Sequence, residues 1–300
     1  MDSGHVAPLQ VRTVTGTDRA AVARQFGMEP AESSPGQVEY LVAEDKKQVV
    51  GYLGLAWSGG GNVWLWGPKT TACDSVSASK ISRALLAEAN QRIARQNATL
   101  AQVMLSLSQE TEAAWYAALG YDTRITLDLL TRPLTDNHPQ SPDLAEAFSE
   151  GDSIAYAPPY HARFLRALAD SYAESSDCLA LHRQSDPEMA LADFRSTPDF
   201  NPMLWRLFES ETEDAGCLLL NHHPDEAALE IAYLGFKPSF RGCGWGQRAM
   251  KVALSEASRL DCQRINVGVD TENTAAQRLY ARFGFWRFSQ QQVLIRTVNA

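Results

Sequence analysis

Apolar residues recur at two periods along this chain, and the switches between them mark out its elements. Alternating or continuous apolar runs over 9–15, 38–43, 48–57 and 62–66 predict a strand and then an antiparallel meander, broken by turn residues at Asp45-Lys46 and Gly59-Gly60-Gly61. A short helix at 17–25 and a loop at 27–36 separate the first run from the second. Helical spacing through Ile81, Leu85, Ala89 and Ile93 predicts a helix over 77–96. A buried strand at 100–107, a helix at 110–119 closed by Gly120 and a strand at 124–130 follow. Pro, Asp, Asn and Ser then crowd 135–151 without periodicity, the composition of a linker. Beyond it the order restarts: strand 153–157, helices 160–172 and 187–194, and strands 203–209, 216–220 and 228–236, with a hairpin turn at Asn221-His222-His223-Pro224-Asp225. A helix at 247–260, a strand at 264–270, a helix at 273–283 and one or two strands within 286–298 complete the pattern.

Two passes through one order imply an internal repeat. The sequences echo each other late in each pass, where Glu112 to Tyr121 lies against Ala276 to Phe285, with Tyr116 on Tyr280 and Gly120 on Gly284. The expected organisation is a first domain at 1–135, a linker at 136–150 and a second domain at 151–300. Mixed runs of strands and helices give the fold class α+β.

Composition narrows the function. With 300 residues, 45% hydrophobic and 21% charged, the chain is globular and long enough for two ordinary domains. A net charge of −9 without a Lys/Arg cluster argues against nucleic acid as a partner and is compatible with a cationic amine substrate. Cys73, Cys178, Cys217, Cys243 and Cys262 form no C-x-x-C pair and read as reduced thiols of a cytoplasmic protein. No signal segment and no run of about 18 apolar residues is present, so neither secretion nor a membrane is expected. Nothing in the sequence sets an oligomeric state.

The candidate chemistry centres on Arg241-Gly242-Cys243-Gly244-Trp245-Gly246, between the strand 228–236 and the helix after it. Alternate glycines strip side chains from a loop that opens a helix, leaving amides to face a bound anion. A dinucleotide fingerprint fits poorly, because the glycines run G-x-G-x-G and Lys237-Pro238-Ser239-Phe240 intervenes. An NTPase loop would place Lys and then Ser or Thr where Gln247-Arg248 stands. His222-His223 lacks a third ligand in spacing, so no metal is expected, and Cys243 reads as filler.

R-x-x-G-x-G and, one strand later, N-x-x-A-x-x-L-Y-x-x-x-G-F over Asn273 to Phe285 together resemble the acyl-CoA-binding motifs of the GNAT superfamily of N-acetyltransferases. The resemblance is best over Leu229 to Phe285. It implies two tandem GNAT-like domains, each a mixed, mostly antiparallel twisted sheet flanked by helices, with acetyl-CoA as co-substrate. It also implies an N-acetyltransferase acting on a primary amine, a small molecule, by direct attack. The alternatives are a non-catalytic acyl-CoA sensor or a longer acyl donor.

By resemblance, the amides of Gly242, Cys243, Gly244, Trp245, Gly246 and Gln247, with Arg241, would hold the diphosphate. The main chain of Leu234, Gly235 and Phe236 would follow pantetheine, Asn273 would contact the cofactor, and Tyr280 would protonate the departing thiolate. Glu230, eleven residues before Arg241, is the candidate base and Asp270 its backup. Strand alternation puts Glu230, Ala232, Leu234 and Phe236 on one face and Tyr233 on the other. Pairing the halves with a four-residue gap sets Gly244 and Gly246 against Val76 and Ala78, and Arg241 against Cys73, so the first copy is expected to have lost cofactor binding. A two-copy plan with the later copy active is similar to that of the mycothiol synthases. Loops after Ser175 and at 27–36 are expected to shape the acceptor site.

Overall fold

The computed structural model describes residues 9–14, 18–26, 38–134, 153–178, 186–197 and 200–298. The expected linker at 136–150 and the loop at 27–36 lie outside them. No helix among the described residues is long and apolar enough to cross a membrane.

The first repeat runs β1 (Gln10–Thr13), α1 (Asp18–Gln25), β2 (Val38–Asp45), β3 (Gln48–Trp57), β4 (Asn62–Thr70), α2 (Ser75–Arg95), β5 (Leu100–Ser106), α3 (Glu110–Ala117) and β6 (Thr123–Pro133). The second runs β7 (Ser153–Ala155), α4 (His161–Tyr172), α5 (Pro187–Arg195), β8 (Arg206–Glu209), β9 (Asp214–His223), β10 (Ala228–Phe236), α6 (Trp245–Arg259), β11 (Arg264–Asp270), α7 (Thr274–Arg282) and β12 (Trp286–Thr297).

The first unit orders its strands β1-β2-β3-β4-β5, antiparallel except for β4 with β5. The second orders them β7-β8-β9-β10-β11-β6, antiparallel except for β10 with β11. A parallel pair cannot be closed by a hairpin, so each repeat spends its longest helix, α2 or α6, on that crossover. Small residues let α6 sit close to its sheet: Ala249, Met250, Ala253, Leu254 and Ala257 form its buried stripe. That stripe meets Leu229, Ile231, Ile265 and Val267 in one core, which α7 joins through Tyr280 and Phe283. On the other face of the same sheet, Phe164 and Leu168 of α4 and Leu191 of α5 pack on Leu207, Cys217, Leu219 and Tyr233.

The compact units differ from the expected segments. One comprises Met1–Arg124, Ser196–Pro198 and Val293–Ala300, the other Ile125–Arg195 and Asp199–Gln292. Nearly all of β6 therefore belongs with the second unit, where it pairs with β11 from Arg264↔Pro133 to Asp270↔Leu127. The end of the chain returns to the first unit: Leu294 and Val298 lie in its core, and Val298 N donates to Thr99 O at 2.9 Å. The first repeat thus gives most of its last strand to the second unit, and the end of β12 belongs to the first. A strand carries no label for its partner beyond its apolar pattern, so a cut near residue 135 follows the repeat in the sequence and not the packing.

Candidate active site

β10 pairs with β11 only from Ala228↔Arg264 to Ile231↔Val267. Beyond that rung β10 stays on β9 as far as Phe236↔Gly216, and β11 stays on β6. The two strands part, and a gap opens between them. The β9–β10 ladder is irregular between Ile231 and Tyr233, where Ala232 is skipped. Such a bulge inverts the alternation. Leu229, Ile231, Leu234 and Phe236 thus share the α6 core, while Tyr233 packs under α4. Glu230 consequently lies on the Tyr233 face and not with Leu234 and Phe236, because unbroken alternation does not survive the extra residue.

Lys237 N donates to Ala215 O at 3.0 Å, which makes Phe236↔Gly216 a pair without mutual hydrogen bonds. The main-chain groups of Phe236 and Leu234 therefore turn away from β9, toward the gap. Gly235 is small for a local reason. A Cβ there would collide with the Tyr233 hydroxyl and stand 2.7 Å from Ser171 Oγ. Those two hydroxyls are bonded to each other at 2.7 Å, and Ser171 passes its own proton to Leu168 O.

The glycine loop is a seat without a cap. Helix α6 begins at Trp245, two residues earlier than the apolar period indicates, after Gly244 at φ 90°. Its first intrahelical bond runs from Arg248 N to Gly244 O at 3.1 Å. The N–H groups of Trp245, Gly246 and Gln247 thus have no helical acceptor, and Gly244 has no side chain to offer one. Gly242 (φ 73°) and Gly244 are required by backbone conformation, since a Cβ on either would meet nothing within 4 Å. Gly246 sits in close quarters: a Cβ there would lie 3.1 Å from the Leu279 side chain of α7, which would have to yield.

The same place in the first repeat is filled. Asp74, at φ −101°, is the N-cap of α2, and its carboxylate accepts from Ser77 N at 2.8 Å. That bond draws the Asp74 carboxyl below its usual range. Counting from the caps sets Gly244 opposite Asp74 and Gly246 opposite Val76, two residues from the pairing with Val76 and Ala78. The helix start, not a gap count, fixes the correspondence.

A cavity of about 520 Å³ runs from this seat along the gap, walled by Leu234, Gly235, Phe236, Arg241, Gly242, Gly244, Gly246, Gln247, Asn273 and Tyr280 among others. Cys243 and Trp245 are not in the wall. The Cys243 thiol is exposed and points back at Arg241 O, and the Trp245 ring packs with Phe208, Phe236 and Phe240. The Arg241 guanidinium is a brace. It donates to Phe236 O, Glu174 O, Ser171 O and Ala173 O at 2.8–2.9 Å, closing the carboxyl end of α4 over the cavity.

Tyr280 is buried and forms part of the cavity wall. The hydroxyl bonds to none of the described residues, and burial, then the charge of Asp177, push its pKa well above the ordinary phenol value. Asn273 caps α7 through Ala276 N at 3.1 Å and also reaches Asp177. Asp177, in the wall, is itself raised by burial. Asp270 has both oxygens engaged, by Glu272 N at 2.9 Å and Cys178 N at 3.0 Å, and stands outside the wall. Glu230 is also outside it. Its Oε2 meets His223 Nε2 at 3.1 Å and Asn221 Nδ2 at 3.3 Å, and the histidine bond, more than any other influence, holds its carboxyl below the usual range.

Residues 165–285 match the Acetyltransferase (GNAT) family model. This stretch of the chain, less than half of it, thus carries the likeness to the GNAT family. It is 32% identical over 157 residues to a mycothiol acetyltransferase of Beutenbergia cavernae, covering 48% of this chain and 52% of that one. A second, from Streptomyces coelicolor, is 27% identical over 167 residues, covering 56% and 52%. The chain thus spans about half the length of these curated relatives. Among solved structures, a tandem GNAT protein from the clavulanic acid biosynthesis pathway superposes with a TM-score of 0.57 at 14% identity, covering 98% of this chain and 99% of that one. It shares the fold of two GNAT-like domains.

Among the wall residues that a reading by motif passes over are Ser171, Asp177, Arg278 and Arg282. Arg278 and Arg282 stand one turn apart on α7, a spacing legible once the helix is placed. Ser171 and Asp177 carry no such signal: the first sits in the last turn of α4 and the second in the bend beyond it.

Proposed function

We propose that the second GNAT domain transfers the acetyl group of acetyl-CoA to a primary amine on a small molecule, by direct attack within a ternary complex. The observation that carries this reading is the difference between two helix starts: α2 is capped by its own carboxylate, whereas α6 leaves its first amides open beside a cavity of about 520 Å³. On this reading the first domain supports the fold and holds no cofactor.

The residues divide the work. The amides from Gly242 to Gln247 take the diphosphate, and Leu234 to Phe236 align the arm, with one N–H polarising the thioester carbonyl, worth about 3 kcal/mol of barrier. The amine nitrogen attacks the carbonyl carbon, the new C–N bond replaces the C–S bond, and the thiolate takes the proton of Tyr280 and leaves as CoA thiol. The proton lost by the amine goes to a carboxylate. Glu230, with Oε1 free of bonds to described residues, suits that role better than Asp270, whose oxygens are both engaged. The names of the matched relatives support a small-molecule acceptor. Five free thiols support a reducing compartment, and we infer the cytoplasm.

Calorimetry with acetyl-CoA, followed by thiol release in the presence of a panel of amines, tests the proposal. One bound cofactor per chain and amine-dependent release are expected. Tight binding without transfer to any amine would leave the non-catalytic sensor, and a preference for butyryl-CoA would replace acetyl by a longer acyl group.

A further inference from the structure

Gly268 stands in the middle of β11 without a local reason. The other described glycines of the second unit each have one. At Gly216, Gly235 and Gly246 some atom lies 3.1 Å or less from where a Cβ would stand, and Gly242, Gly244 and Gly284 take positive φ. Gly268 has neither feature. Its φ lies outside the left-handed region, and within 4 Å a Cβ would meet only Leu129 Cδ2, at an ordinary contact distance of 3.7 Å. A bare residue inside a strand weakens it and packs nothing. Where neither bulge nor crowding explains such a glycine, the remaining reason is the close approach of a ligand.

Its place in the sheet is the lip of the gap. β10 and β11 stay paired as far as Ile231↔Val267, so Gly268 is the first residue of β11 past that rung, about 3.4 Å along the strand. The register of β11 on β6 runs unbroken from Arg264↔Pro133 to Asp270↔Leu127, which preserves alternation on β11. Ile265, Val267 and Val269 enter the α6 core, and Asn266, Gly268 and Asp270 therefore face the other side of the sheet. That side is open at this point: Gly268 is exposed, and Leu129, opposite it on β6, is half-buried. The result is a recess one side chain deep, floored by a bare Cα and edged by an aliphatic group.

We propose that Gly268 is a specificity-determining residue of the acceptor site, and that the recess it leaves takes a carbon substituent beside the reacting nitrogen. The second domain then acts on primary amines whose nitrogen sits on a branched carbon, one bearing two other carbons. This rests on the acetyl-transfer reading above, which lays the thioester in the gap. A nitrogen that reaches a carbonyl at that level brings its own carbon to the lip, and a group on that carbon needs space beside β11. A Cβ at Gly268 would fill the space, whereas Leu129 offers the substituent aliphatic contact. The room lies on one side only, so the two enantiomers of a branched amine fit unequally. An amine on an unbranched carbon carries nothing into the recess.

The test uses the full chain, acetyl-CoA and two pairs of amines, hexylamine with hexan-2-amine and benzylamine with 1-phenylethylamine, the branched member of each pair as separate enantiomers. Amine-dependent thiol release gives kcat/KM for the parent protein and for Gly268→Ala. The variant is expected to fold, because its Cβ makes only an ordinary contact with Leu129, and a melting curve checks this. For the parent, the better enantiomer of each branched amine is expected within about threefold of its unbranched counterpart in kcat/KM. Gly268→Ala is expected to lower that branched-to-unbranched ratio about tenfold, the discrimination that one methylene of space supports, and to shrink the preference between enantiomers. Gly268→Ser, of nearly the same size, is expected to give the same split. General loss of structure would lower both members of a pair together. A ratio that neither variant moves by more than about twofold, or a parent that uses the unbranched amines and rejects the branched ones, overturns the role of Gly268 and leaves acetyl transfer standing. Bound acetyl-CoA without thiol release in the presence of any of these amines refutes acetyl transfer, and the inference with it.

Discussion

Replacing Gly244 by Asp gives the second domain the cap that the first already has. The position can accept a side chain, since a Cβ there meets nothing within 4 Å, but its φ of 90° strains any L-residue, by about 1–2 kcal/mol. Gly244→Ala carries the same strain without charge and is the control. The carboxylate of Gly244→Asp adds repulsion against a diphosphate of roughly two charges. At about 5 Å each charge pair is worth about 0.8 kcal/mol in water and about 3 kcal/mol at an effective dielectric of 20. A conservative sum of about 2 kcal/mol predicts acetyl-CoA binding about 30-fold weaker than in Gly244→Ala. Calorimetry at physiological salt, with melting curves confirming that both variants are folded, makes the comparison. An affinity for Gly244→Asp within threefold of Gly244→Ala would refute the assignment of these amides as the anion seat. The same titration on Asp74→Ala is expected to give one cofactor per chain, as in the parent protein, and a second site appearing there would show that only its own carboxylate keeps the first repeat empty.

Tyr280→Phe is expected to lower kcat about 100-fold while moving the acetyl-CoA Kd less than about twofold, since it removes a proton donor and leaves the buried ring; unchanged kcat across the pH range discards Tyr280 as the acid. Arg241→Lys retains charge but cannot span four carbonyls, so it is expected to destabilise by about 1–3 kcal/mol in urea unfolding with little effect on CoA affinity; a large loss of affinity at unchanged stability would make Arg241 a diphosphate ligand instead. Gly235→Ala forces a methyl between the Tyr233 and Ser171 hydroxyls and should cost about 1–3 kcal/mol, read as a lowered melting temperature; a neutral result would mean that the bond between them is not needed. The folded Glu230 carboxyl lies below its unfolded value, so its bond to His223 stabilises the protein above the ordinary Glu pKa of about 4.3 and is lost as pH falls through the folded value. Urea midpoints measured from pH 6 to pH 3 should therefore fall more steeply for the parent protein than for Glu230→Gln, and parallel curves would deny the coupling.

What the sequence determined by itself is local. Apolar periodicity set the type and order of the described elements, and it placed β3, β10 and β11 to the residue, because burial on a sheet or a helix forces a period that no other arrangement satisfies. The glycine spacing before α6 marked a helix start without a side-chain cap, and at Gly242 and Gly244 glycine takes φ of 73° and 90° without the strain a side chain would bring. The relation of Asn273 to Tyr280 on α7 follows from helix phase alone.

Tertiary structure decided the rest. The skipped Ala232 moved Glu230 to the face of Tyr233, and a bulge depends on how β9 meets β10, which neither strand encodes separately. Arg241 looks like a phosphate ligand in the motif and acts as a clamp because α4 ends against it. Asp177 entered the cavity wall through a bend with no pattern of its own. The exchange of β6 and the end of β12 has the same origin: two strands with similar apolar faces fit either neighbour, and only the packing of the whole chain chooses between them.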